Sequence, residues 1–127
     1  MENERSAVIR IGEDDYSLLL TTKATKEIAG RYGGLEHLGD KLMKSENFEE
    51  ALGEIVWLIT LLANQPILIA NIKDKEHPRD LLTEEYVEIL TTPADLALYK
   101  EAITACLYKG TRRNVESETD SKNAEAE

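Results

Sequence analysis

"EIVWLITLLANQPILIANI", Glu54 to Ile72, is the most apolar stretch of the chain, and its reading decides the fold class. Counted from Ala51, it matches the roughly 20 apolar residues that a bilayer-spanning helix needs. Glu54, Thr60, Asn64, Gln65 and Asn71 interrupt it, and Pro66 falls near its middle. Consider a helix over Phe48–Gln65, turning about 100° per residue. Phe48, Ala51, Leu52, Ile55, Val56, Leu58, Ile59, Leu62 and Ala63 then share one arc of about 160°. Glu49, Glu50, Gly53, Glu54, Thr60, Asn64 and Gln65 take the other side. A clean polar side suits a core helix of a domain in water and is wrong for one surrounded by lipid, so no membrane span is expected.

Trp57 and Leu61 are the two violations. They stand one turn apart on the polar side, where they touch each other. They read either as a second packing face, against a hairpin or another helix, or as a surface for self-association or a partner, where Trp is enriched. Pro66 marks a place where a helix is expected to break or restart. Beyond it, Ile67, Leu68, Ile69 and Ile72 carry the same pair of readings, as core or as the wall of a groove for a partner helix. Trp57, Leu61, Ile67, Leu68, Ile69 and Ile72 are therefore the candidate partner-binding residues.

The segments around this helix have their own signals. "AVIRIG" (Ala7–Gly12) is rich in β-branched residues, and "YSLLLTT" (Tyr16–Thr22) alternates Tyr16, Leu18 and Leu20 against Ser17, Leu19 and Thr21. The turn residues between them predict a β-hairpin across Ala7–Thr21. A lone hairpin is marginal in water, so it must pack on something. Ala24, Ile28 and Tyr32 then recur at helical spacing, and Gly33–Gly34 ends that helix. Leu35, Leu38 and Leu42 mark a second short helix, after which Asn47 suits an N-cap with Glu50 at the third position.

Downstream, "KDKEHPRD" (Lys73–Asp80) reads as a charged loop and "TEEYVEIL" (Thr83–Leu90) as a short helix capped by Thr83. "TPAD" (Thr92–Asp95) combines a capping Thr, Pro at the first helical position and an acid at the third. It predicts a helix to about Lys109, with Leu96, Leu98, Tyr99, Ala102, Ile103, Ala105, Cys106 and Leu107 on one broad face. From Thr111 the composition turns polar and acidic, as in a disordered tail. The expected architecture is mainly α: one small domain over 1–110 of about five helices with an N-terminal β-hairpin (α+β), followed by a disordered acidic C-terminal tail over 111–127.

The totals bound the function. A chain of 127 residues suggests one domain. A net charge of −10 argues against binding a phosphate backbone and favours basic partners. The single cysteine, Cys106, excludes an intramolecular disulfide and sits inside an apolar helical arc, which makes it a buried structural residue rather than a nucleophile. His37 and His77 are isolated and lack metal-ligand spacing. Glu46, Glu49, Glu50 and Glu54 form one acidic cluster and Glu84, Glu85 and Glu88 another. Such acids could serve acid–base work, but they fall at helix N-terminal turns and on a polar face, where acids belong anyway. "GRYGG" lacks phosphate-loop spacing. No basic, then apolar, leader opens "MENERSAVIR", so no secretion signal is expected. No enzyme activity, cofactor or metal is expected.

Taken in order, "VIRIGEDDYSLLLTTKATKEIAGRYGG", "LEHLGDKLM", "EIVWLITLLANQ", "LLTEE" and "YKEAITACLYKGT" resemble the small tail assembly chaperones of long-tailed phages and prophages of low-GC Gram-positive bacteria. The resemblance runs from about Val8 to Arg113 and rests on packing and turn patterns. It implies a non-enzymatic helical protein in the cytoplasm of the bacterial host. Such a protein binds and solubilises the tape measure protein, helps recruit tail tube subunits, and leaves before the virion is complete. It also implies that a longer, frameshifted form could extend the chain near its C-terminus. The competing expectation is a structural or adaptor component of a tail or head–tail connector, retained in the particle. Self-association is compatible with both.

Overall fold

The structure, a computed structural model, describes residues 6–34, 38 and 48–108. Strands β1 (Ser6–Ile11) and β2 (Asp14–Leu19) pair antiparallel, with Ala7 opposite Leu18, Ile9 opposite Tyr16 and Ile11 opposite Asp14. Gly12 and Glu13 form a two-residue turn in which Gly12 alone has positive φ, +64°. That is the pattern of a type II′ turn, whose twist matches the strands. Space adds a second demand for glycine, because a Cβ at Gly12 would stand 3.3 Å from Leu90 Cδ1.

Helix α1 (Thr22–Tyr32) starts on Thr21, whose hydroxyl accepts from the Ala24 N–H. It ends at Gly33, which is left-handed at φ 84° and returns its N–H to the Ala29 carbonyl. The expected Leu helix after Gly34 and the Asn47 cap lie outside the described residues, except for Leu38, which is helical and buried. Helix α2 (Phe48–Lys73) is followed by α3 (Glu84–Leu90) and by α4 over 93–108. Thr83 caps α3 through the Tyr86 N–H. Thr92 and Asp95 exchange the two bonds of a capping box, Asp95 N–H to Thr92 Oγ1 at 3.2 Å and Thr92 N–H to Asp95 Oδ2 at 2.9 Å. The proposed acidic tail lies outside the described residues.

The core is aliphatic and drawn from every element. Ile11 and Leu18 from the hairpin, Ile28 from α1, Leu58, Ile59 and Leu62 from α2, Val87 from α3, and Ile103 and Cys106 from α4 are fully buried. Such burial is worth roughly 1.5–3 kcal/mol per large side chain, and it seats the hairpin, which could not stand alone. The Tyr99 hydroxyl donates to the Arg10 carbonyl and ties α4 to β1. The chain is thus mainly α with an N-terminal β-hairpin.

Three expectations need correction. The helix does not break at Pro66: α2 runs through it as one element of 26 residues. Proline lacks the N–H that would bond the Leu62 carbonyl, and its ring crowds that carbonyl. The burial of Leu58, Ile59, Leu62, Ala63 and Gln65 before Pro66 outweighs that local cost. Gln65, placed on the polar side, is buried, because its amide has partners: Oε1 accepts from Thr21 Oγ1 at 2.7 Å and Nε2 donates to the Leu61 carbonyl at 2.8 Å. Leu98, assigned to the core face of α4, is 66% exposed. The buried stripe of α4 is the narrower set Leu96, Tyr99, Ile103 and Cys106.

By length and composition α2 could cross a membrane. Its middle turns instead are enclosed by the hairpin and the other helices.

Candidate functional site

Carrying the helical phase unbroken through Pro66 reorganises the apolar residues of α2. At about 100° per residue, Trp57, Leu61, Asn64, Leu68, Asn71 and Ile72 fall within about 100° of one another. They form a second face, distinct from the core stripe of Ile55, Leu58, Ile59 and Leu62. Ile69 extends the core stripe, while Ile67 lies on the flank beside Val56 and Thr60.

The N-terminal half of this second face is covered by α1. The Arg31 guanidinium lies 4.4 Å from the centre of the Trp57 ring, and the Tyr32 ring meets Trp57 edge-on at 6.0 Å and 76°. The guanidinium uses the electron-rich face of the indole, and the near-perpendicular ring pair is a favoured aromatic geometry. Glu54, one turn before Trp57, receives Arg31 Nε at 3.2 Å and the Tyr32 hydroxyl. Its side chain is only 13% exposed, so the carboxylate is held in place by these donors. Burial, and next the Glu54 carboxylate, hold the Tyr32 hydroxyl far above its ordinary pKa. Trp57 and Leu61 are both half-buried and packed against the core.

The C-terminal half is covered differently. After Lys73 the chain turns through Asp74–His77, where His77 Nδ1 lies 3.2 Å from Asp74 Oδ2, and then runs back along the helix. Two asparagines grip its backbone. Asn64 Oδ1 accepts from the Leu82 N–H at 2.8 Å, and Asn64 Nδ2 donates to the Leu82 carbonyl at 3.0 Å. Asn71 Oδ1 accepts from the Arg79 N–H at 2.7 Å, and Asn71 Nδ2 donates to the Arg79 carbonyl at 3.0 Å. Seven helical residues rise about 10.5 Å. Three extended residues span about 10 Å. The two spacings agree, so the strap lies nearly extended between its clamps. Leu82 is buried, whereas Pro78, Arg79, Asp80, Leu81 and Thr83 are exposed.

Between and beyond the clamps, Ile67, Leu68 and Ile69 are half-exposed and Ile72 is 71% exposed. The six candidate residues therefore do not form one patch. Trp57 and Leu61 pack near α1, Leu68 lies between the clamps, Ile72 ends the face, and Ile67 and Ile69 flank it. Asn64 and Asn71 were read as polar interruptions; their seven-residue spacing was the signal that they share a face.

No cluster of His, Cys, Asp and Glu among the described residues could hold a metal. Cys106 is fully buried in the core. A concavity of about 720 Å³ follows α4 beside Ala97, Lys100, Thr104 and Tyr108, and none of the six candidates lines it. No protein-family model, curated protein or solved structure matches the chain.

Proposed function

We propose that this chain is a non-enzymatic tail assembly chaperone that binds apolar helical segments of a phage tape measure protein in the bacterial cytoplasm and keeps them soluble. The observation that carries this reading is the second face of α2. It continues past the core as half-covered aliphatic surface and ends at Ile72, which is largely in solvent. Exposed aliphatic residues on one helix suit the apolar stripe of another helix. A net charge of −10 keeps a protein bearing such a face dispersed.

The test is co-expression with a tape measure protein of a long-tailed phage of Gram-positive bacteria. A soluble complex that depends on this chain supports the reading. A tape measure protein that is equally soluble alone refutes it. Mass spectrometry of purified virions separates a chaperone, scarce in the particle, from a retained adaptor, which would be abundant.

A further inference from the structure

We propose that residues 74–83 are a releasable strap that covers the C-terminal half of the second face of α2 and must lift for that face to be used. This rests on the proposed chaperone function for the identity of the occupant, but the movement itself does not depend on it. The observations concern how the strap is held. Between Asp74 and Thr83 only Leu82 is buried; the rest are exposed. Its attachment to α2 includes the two amide pairs, Asn64 with Leu82 and Asn71 with Arg79.

Backbone hydrogen bonds to side chains are individually weak in net terms, because water replaces them on release. A segment held this way, with one buried apolar side chain, belongs to the low-stability end of a fold and opens locally. The core elements on either side are anchored by fully buried aliphatic residues and would stay closed. Lifting the strap frees Leu68, which the helical phase places between the two asparagines, and joins it to Ile72. Asn64 and Asn71 would then be available to water or to the backbone of an incoming segment. The uncovered face is aliphatic with two amides, which suits a helix that is apolar but not wholly so.

The clamps can be tested separately. Asn71→Ala removes the Arg79 pair and leaves the Asn64–Leu82 pair chemically intact. Exchange of the Leu82 amide in the full chain then reads strap opening rather than loss of its acceptor. Loss of two hydrogen bonds should speed that exchange about thirtyfold, while the amides of Leu18 and Ile103 hold their wild-type rates. An unchanged Leu82 rate, or equal acceleration at Leu18 and Ile103, overturns the proposal. Fluorescence of anilinonaphthalene sulfonate supplies the second readout: Asn71→Ala should bind more dye than wild type, and adding Leu68→Ala should cancel the gain. Opening without that gain also overturns it, because the strap would then not cover the apolar face. A chain whose strap behaves as expected but which fails to solubilise a tape measure protein refutes the proposed function and upholds the strap.

Discussion

Replacing Pro66 with alanine should stabilise this protein. Pro66 lies inside the 26-residue helix α2, where it denies a donor to the Leu62 carbonyl and presses its ring against it. An interior proline costs about 3 kcal/mol relative to alanine. Two terms oppose the gain. Pro66 is half-buried, so trimming its ring to a methyl group loses about 0.8 kcal/mol of apolar burial. Proline also restricts the unfolded chain, and alanine returns about 0.4–1 kcal/mol of that entropy. The net gain is about 1–2 kcal/mol, which for a domain of this size raises Tm by roughly 5–10 °C. Thermal unfolding followed by far-ultraviolet circular dichroism, with urea titration as a check on the slope, measures it. A lowered Tm for Pro66→Ala would refute the reasoning. It would mean that the fold depends on a helix shape that proline imposes, and that the Leu62 carbonyl has another partner.

Trp57→Ala combined with Leu61→Ala removes two half-buried side chains. Full burial would cost 3–5 and 2–5 kcal/mol respectively; at half burial the pair should cost about 3 kcal/mol, read as a lower urea midpoint with the monomer still folded. No loss of stability would place both residues in a partner surface instead. Alkaline pH offers an independent check, because the Tyr32, Tyr16 and Tyr99 hydroxyls all sit above their ordinary value of 10.0, with burial the largest cause in each. The unfolded chain then loses these protons first, so stability is full below about pH 10 and falls as pH rises beyond it. Tyr32→Phe should make that fall shallower in urea titrations across this range, and a wild-type stability that stays flat there contradicts the assignment.

The hairpin and the helix ends other than that of α2 were legible because their causes are local. A turn with glycine at its first central position, Gly33 after α1, and the reciprocal Thr92–Asp95 pair each lie within a few residues of what they specify, whereas the alternation expected in β2 gives way to three buried leucines, Leu18, Leu19 and Leu20. What escaped the sequence depends on residues far apart along the chain. Gln65 is buried because Thr21, 44 residues away, donates its hydroxyl to the Gln65 amide oxygen. Asn64 finds the Leu82 backbone 18 residues on, and Asn71 the Arg79 backbone eight residues on. No periodicity announces a side chain that bonds a returning segment. Leu98 shows the opposite limit: it falls about 80° outside the stripe of Leu96, Tyr99, Ile103 and Cys106, at the edge of a face drawn too broadly, and it is 66% exposed.

Pro66 decides how the residues after it are sorted. Ending the helix at Gln65 discards its phase, and "ILIANI" then looks apolar on every side. Keeping the phase sorts the same residues: Ile69 continues the line of the core stripe but stays half-exposed, and Leu68 and Ile72 align with Trp57 and Leu61. The two violations in the first half of the helix are the start of a face that continues through the second half.

That face is where partner binding should fail when it is altered. Leu68→Asp combined with Ile72→Asp places two charges on half-exposed and exposed positions, so the fold should persist. The decisive measurement is the soluble fraction of the co-expressed tape measure protein. It should be high with the wild-type chain and drop to the level without any chaperone when the double variant, folded by circular dichroism, replaces it. Equal solubility with wild type, double variant and no partner at all would contradict both the site and the function.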